Sequence, residues 1–458
     1  MTTKAARHVG ELENKNIPAL LWKYFVPAFS GVILNSLYNI IDRIFIGQGV
    51  GAEALSGLSA VFPVMISIMA FGMLVGIGAG VRISINMGKK DFKLAEKVLG
   101  NAFLLMILTS VAITIIGFAI KEPMLRMFGV SDDTMGYANE YLDIILMGAI
   151  FNIVGFSLNN LIRSEGNPRI AMISMLISAG TNLILDPIFI FTFNMGVKGA
   201  AIATVISQIL LCVWVIGHFN SKRSVLRLRW ENFKPDREIM WYILSIGFAP
   251  FTMQLASSLV QGTFNKQLML YGNDYAIGAM GIINSVVMLL VMSVIALNMA
   301  SQPIIGFNFG AKNYHRVKET LTIGLKAATI ISMVGFAITQ IFPRTIIGIF
   351  NSTNTDLMDI GEQGLRIALV AFPLVGFQII TGNFFQSIGK AGKAAFISLL
   401  RQVIILIPLL FIMPTFLGIH GVWLASPVAD TLSAAICIWF LMREMKRLNK
   451  AIAAQNLN

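Results

Sequence analysis

Three aspartates interrupt long apolar runs of this 458-residue chain: Asp42, Asp186 and Asp430. A carboxylate at membrane depth is costly to keep and marks a functional site or a compensating partner. Asp42 sits in Tyr38-Asn39-Ile40-Ile41-Asp42 and Asp186 in Asn182-Leu-Ile-Leu-Asp186-Pro187, so each has a polar residue one helical turn away, on the same face. Thr204, in the next apolar run, adds a neutral oxygen. Two carboxylates in one poorly solvated site cannot both stay ionised cheaply, so at least one is expected to hold a proton or a cation. Asp42, Asp186, Asn182, Tyr38 and Thr204 are therefore the candidate cation-coupling residues. Na⁺ is a possible occupant at Asp42, Asn182, Asp186 and Thr204, and the same residue set suits H⁺ equally well. Asp430 is different: counting residues along two antiparallel spans places it level with Arg401, which predicts a structural ion pair. Pro27 and Pro187 each remove a helix hydrogen bond and are candidate bends for gating.

The elements that must position these residues follow from composition. Apolar residues make up 56% of the chain and charged residues 13%, with a mean hydropathy of +0.75. A soluble protein carries about a quarter of its residues as charges, so this chain cannot cover a water-facing surface. At ~20 apolar residues per span there is room for about a dozen transmembrane helices. Apolar runs bounded by charge, Gly and Pro give spans near 22–47, 54–82, 95–120, 137–162, 170–193 and 196–219, then 239–270, 277–307, 317–341, 358–386, 393–416 and 418–442. The expected fold is an all-α integral membrane protein of twelve spans.

Most of the 35 Lys and Arg residues fall in the tails and in the even-numbered loops, among them Lys89, Lys90, Lys93, Lys97, Lys222, Arg223, Arg443, Lys446 and Arg447. The positive-inside rule then makes both termini cytoplasmic. This distribution, rather than a nucleic-acid-binding face, accounts for the net charge of +12. Cys212 and Cys437 lie inside apolar runs, where a thiol behaves as a small hydrophobe. No Walker A motif, metal-ligand spacing or catalytic constellation is present in the sequence. The expectation is a non-enzyme without cofactors, powered by an ion gradient or by the substrate itself.

The chain also repeats itself. GKKDFKLAEKVLGNAF from Gly88 is echoed by GAKNYHRVKETLTIGL from Gly310, and Gly196-Val-Lys-Gly199 by Gly418-Ile-His-Gly421, both about 222 residues apart. This gives a tail of 1–21, an N-terminal six-helix lobe of 22–219, a linker of 220–238, a C-terminal six-helix lobe of 239–442 and a tail of 443–458. Six spans per half leave the halves in the same orientation, as in transporters built from parallel repeats with alternating access. The repeat is uneven where it matters: Asp42 corresponds to Asn265, Asp186 to Ile407, and Asp430 to Gln208.

The segments Pro27 with Tyr38 to Gly47 (YNIIDRIFIG), Arg163 to Arg169 (RSEGNPR), Asn182 to Pro187 (NLILDP) and Gly196 to Thr204 (GVKGAAIAT) resemble the multidrug and toxic compound extrusion (MATE) transporters, in the branch of DinF-like and MepA-like bacterial proteins. The resemblance covers roughly 20–445. It implies two pseudo-symmetric six-helix lobes in a bacterial cytoplasmic membrane, working as a monomer among membrane lipid. It also implies export of small cationic or amphipathic drugs by antiport with H⁺ or Na⁺. The same resemblance carries the cation role onto Asp42, Tyr38, Asn182, Asp186 and Thr204, and adds Tyr141. The alternative is a lipid-linked oligosaccharide or lipid flippase of the same superfamily. A flippase for pyrophosphate lipids needs a cationic cavity, and only Arg401 and Lys326 fall well inside spans.

Overall fold

The computed structural model describes residues 10–50, 52–128, 130, 132–272, 274–350 and 355–455; within them the side chains of a few helical residues, Tyr38 included, lie outside the described set. Backbone polar groups facing lipid have no water to bond, so the apolar runs satisfy them internally as helices. The first six are α1 (Ile17–Gly49), α2 (Ala52–Gly88), α3 (Phe92–Met127), α4 (Asp132–Ser164), α5 (Pro168–Pro187) and α6 (Gly196–Asn220). After the linker come α7 (Arg237–Tyr271), α8 (Asp274–Gly310), α9 (Tyr314–Ile341), the short α10 (Pro343–Phe350), α11 (Thr355–Ala368), α12 (Phe372–Ser387), α13 (Ala391–Leu399), α14 (Ile407–Leu417) and α15 (Ile419–Gln455).

Eleven stretches among the described residues are long and apolar enough to cross a membrane, and α11 with α12 makes a twelfth, bent by 49°. The single tenth span expected over 358–386 is thus broken. Pro373 near the start of α12 supplies no N–H, so the helix restarts there. Two other spans widen into π-helical turns: Ile188–Thr192 follows Pro187, and Leu400–Leu406 precedes Pro408, joining α13 to α14. The protein is an all-α membrane protein of twelve spans in two pseudo-symmetric halves.

The sequence repeat is a repeat of backbone geometry. Lys90 and Lys312 both take left-handed conformations, with φ of 63° and 58°. The following Asp91 and Asn313 each cap a helix, accepting from Leu94 N at 3.0 Å and from Arg316 N at 3.4 Å. In GVKG and GIHG the first glycine has positive φ, 56° at Gly196 and 58° at Gly418, which a side chain would strain. The second permits close backbone approach. A Cβ on Gly199 would lie 2.9 Å from the carbonyl carbon of Phe189, and one on Gly421 would lie 2.4 Å from the carbonyl oxygen of Met413.

Contacts divide the chain into two compact units. Among the described residues, one comprises 10–16 and Val26–Phe251, the other Ile17–Phe25 and 252–455. The linker and the first part of α7 therefore belong with the first unit. α1 and α7, the two helices that pass between units, carry Pro27 and Pro250 within two residues of the crossing.

In the first unit α2 and α4 touch closely. Ser157 Oγ donates to Gly72 O at 2.9 Å, and a Cβ on Gly76 would meet Ser157 Cα at 2.7 Å. Small residues four apart let membrane helices pack this way. From Val26 onward α1 runs beside α5: Gly31 faces Met175, and Gly49 faces Ile190 and Phe191. The second unit is built around Phe264, Leu268, Ile283, Phe372, Leu410 and Trp423.

Candidate cation site in the first unit

Three helices of the first unit bring the site residues together. Asn182 and Asp186 stand one turn apart on α5, and Asn182 Nδ2 donates to Asp186 Oδ1 at 3.1 Å. The same amide nitrogen reaches Thr204 Oγ1 on α6 at 3.4 Å. Thr204 is held there because Gly199, five residues earlier, lets the start of α6 press against the π turn that ends α5. The packing of α1 on α5 puts Asp42 against Asp186, where the two carboxyls interact directly. All four residues are buried: Asp42 is 8% exposed, Asp186 and Asn182 1%, and Thr204 5%.

The chemistry is an excess of acceptors. Asn182 Oδ1 and Asp186 Oδ2 are buried with no hydrogen-bond donor within reach among the described residues. A buried acceptor without a donor costs free energy until a proton or a hard cation satisfies it. Two facing carboxyls, an amide oxygen and a hydroxyl form an oxygen set suited to either.

Tyr38 lies on α1 one turn before Asp42, but its side chain falls outside the described residues. Tyr141 is fully buried on α4, a different helix of the same unit. Pro27 lies inside α1, and Pro187 is the last residue of α5, directly before the wide turn. In the second unit Arg401 Nε donates to Asp430 Oδ1, and Gln378 Nε2 donates to the Asp430 carbonyl at 3.0 Å. Asn265, the repeat counterpart of Asp42, is exposed and accepts from Gln261 at 3.4 Å.

Another buried acid emerges at the hairpin between α4 and α5. Glu165, fully buried, accepts from His218 Nε2, Ser224 Oγ at 2.7 Å, Val225 N at 3.2 Å, Leu226 N at 3.3 Å and Asn167 Nδ2 at 2.8 Å. It ties the end of α6 and the start of the linker to the hairpin. Sequence spacing did not expose this role, since Glu165 and His218 lie far apart in the chain and His218 reads as one of four scattered histidines. The available signal was an acid inside the RSEGNPR turn, between two runs of apolar residues.

The MatE family profile matches twice, over residues 27–188 and 251–412. The chain belongs to the MatE family. The two matches of this MatE protein fall on its two repeats, the first beginning at Pro27 and the second directly after Pro250 of the crossing helices. Multidrug export protein MepA of Staphylococcus haemolyticus (strain JCSC1435) is 28% identical over 436 residues, covering 95% of this chain and 96% of that protein. MepA of Staphylococcus aureus (strain MSSA476) is 29% identical over 423 residues, covering 92% and 93%. A MOP superfamily transporter from Pyrococcus furiosus superposes with a TM-score of 0.90 at 24% identity, covering 98% of this chain and 99% of its own. A MATE crystal structure in the bent conformation gives 0.91 at 25% identity, covering 99% and 100%. These structures share the MatE fold over nearly the whole chain.

Proposed function

We propose that this MatE protein is a secondary active multidrug exporter of a bacterial cytoplasmic membrane. It expels cationic amphipathic compounds by antiport with H⁺ or Na⁺, with both termini in the cytoplasm. The observation that carries the reading is the buried Asp42–Asp186 pair with Asn182 and Thr204, present in one repeat and replaced by Asn265 and Ile407 in the other. Loading the pair with a proton or cation neutralises it; unloading restores charge that must be hydrated or matched by a cationic substrate. Tyr38 and Tyr141 serve this N-terminal site, and Pro27 and Pro187 provide the bends through which α1 and α5 respond. The lobes 22–219 and 239–442, joined by the 220–238 linker, are the bodies that alternate access, and the linker moves with the first. No cofactor beyond the coupling ion is invoked, and a single chain suffices. The names of the MepA relatives support the substrate class.

The pairing of Arg401 with Asp430 weighs against the flippase alternative, because it commits an intramembrane cation to an internal partner. In cells loaded with ethidium, Asp42→Asn and Asp186→Asn should each abolish gradient-driven efflux at unchanged membrane abundance. Near-normal efflux in both variants overturns the mechanism. Proteoliposomes given a proton or a sodium gradient separately then identify the ion.

A further inference from the structure

The second unit carries a basic cavity that the transport reading does not use. We propose that it holds the phosphate of an anionic phospholipid headgroup. The cavity, of about 440 Å³, is lined by Lys393 at the start of α13 and by Phe440, Arg443, Lys446 and Arg447 on α15. Its charge is strongly one-sided. Glu444 is the acid beneath it, and that carboxylate is committed to Lys390 and Lys393, the latter at 3.0 Å. Arg447 reaches Glu444 only at 4.0 Å. Arg443 places its guanidinium carbon over the Trp439 ring, 4.3 Å from the centroid, a cation–π contact that uses none of its N–H donors.

The level of the cavity identifies the ligand. On α15 the apolar run ends at Met442 and the charged run begins at Arg443; on α13 Lys393 stands immediately before Ala-Ala-Phe-Ile. Two antiparallel spans thus change from polar to apolar at the same point. Just on the apolar side Trp439 and Phe396 are 46% and 41% exposed, and both pack on Phe440, at 4.9 and 5.7 Å between ring centroids. Cations above an exposed aromatic step match a phosphate above its acyl chains. Helix-end lysines alone would give neither the cavity nor the aromatic floor. The repeat does not build this site twice: Lys393 corresponds to Ile170, Phe440 to His218 and Arg443 to Ser221. The leaflet rests on the topology proposed above; the site itself does not.

The test is native mass spectrometry of the delipidated full-length protein incubated with phosphatidylglycerol, with phosphatidylcholine, or with millimolar inorganic phosphate. Phosphatidylglycerol should be retained in preference to phosphatidylcholine. Arg443→Gln with Lys446→Gln should reduce its retention about fivefold per cation removed. Removing the same charge elsewhere, Lys222→Gln with Arg223→Gln, should leave retention unchanged. Arg443 and Lys446 are exposed, and Lys446→Arg should restore retention in a correctly folded chain. Equal retention in the two double variants, or equal retention of both lipids, overturns the proposal. Inorganic phosphate displacing phosphatidylglycerol assigns the cavity to a free anion and overturns the lipid. The export reading is tested separately: ethidium efflux in R443Q/K446Q and lipid retention in Asp42→Asn should both stay normal.

Discussion

The two units seal the same junction with opposite polarity. In the first, the hairpin between α4 and α5 supplies the acid, Glu165, while the end of α6 and the linker supply His218 and the other donors. In the second, the last helix supplies the acid, Glu444, and the hairpin residue Lys390 together with Lys393 in the first turn of α13 supplies the cations. The hairpins keep matching geometry, with positive φ at Gly166 (105°) and Gly389 (77°). A duplicated scaffold therefore preserved its backbone and a buried, hydrogen-bonded acid at this point, but not which segment of the junction provides it. The exchange has a structural consequence. The first junction draws the linker down onto itself, whereas the second lets α15 run on to Gln455 and leaves a basic cavity open.

The sharpest way to break this comparison is to remove each acid. Glu165→Ala removes the acceptor shared by His218, Val225 and Leu226, while Ser224 Oγ keeps Leu226 O at 2.6 Å, so it should cost about 3–5 kcal/mol, the range for one partner lost from a buried acid's pairing. Glu444→Ala strands Lys390 and Lys393, whose side chains are 29% and 30% exposed and can rehydrate, so the loss should be closer to about 1 kcal/mol. Thermal melting of the detergent-solubilised variants measures both. Equal losses would mean that the two junctions are energetically equivalent despite the exchange.

A smaller effect tests packing. Gly76 of α2 corresponds to Asn298 of α8, so the first unit alone has a glycine at this close approach. The backbone of Ser157 cannot move aside as a flexible side chain would, and a Cβ at Gly76 would meet it at 2.7 Å. Gly76→Ala should cost about 1–3 kcal/mol through overpacking. Asn298→Ala should lower melting less; the reverse order would show that the α2–α4 contact relaxes freely.

The parts legible in the sequence were those written in local spacing. Apolar run length and flanking charge mark the spans, and the i, i+4 placement of Asn182 and Asp186 gives half of the cation cluster before any coordinates. The approach of Asp42 to Asp186 required the packing of α1 on α5, which the repeat, the rarity of buried acids and the resemblance to MATE transporters suggested. The break before α12 was hidden because Leu369-Val370-Ala371 is as apolar as the helices it separates. Glu165 was hidden for the converse reason: its donors include backbone N–H groups of the linker, and backbone donors leave no trace in residue type.

The linker offers the mildest perturbation, and its response to pH is determined in sign. Asp236 accepts from Lys97 Nζ at 2.6 Å and caps α7 through the N–H groups of Glu238 and Ile239 at 3.0 and 3.1 Å. The hydrogen bond from Lys97 is the largest influence holding its carboxyl below the ordinary Asp value, with the backbone donors adding to it. Asn101 anchors the same segment, accepting from Asp236 N at 2.7 Å and donating to Lys234 O at 3.2 Å. A depressed carboxyl pKa contributes stability above the unfolded-state value and loses it as pH falls through the folded-state value. Asp236 should therefore hold the linker at neutral pH and release it only in acid below the normal carboxylate range. Hydrogen exchange at residues 230–239 should show protection falling over that acid window in the wild type. In Asp236→Asn the pH step should vanish, leaving the residual protection that Asn101 supplies. An unchanged acid step in that variant would show that Asp236 is not the titrating group and overturn the assignment.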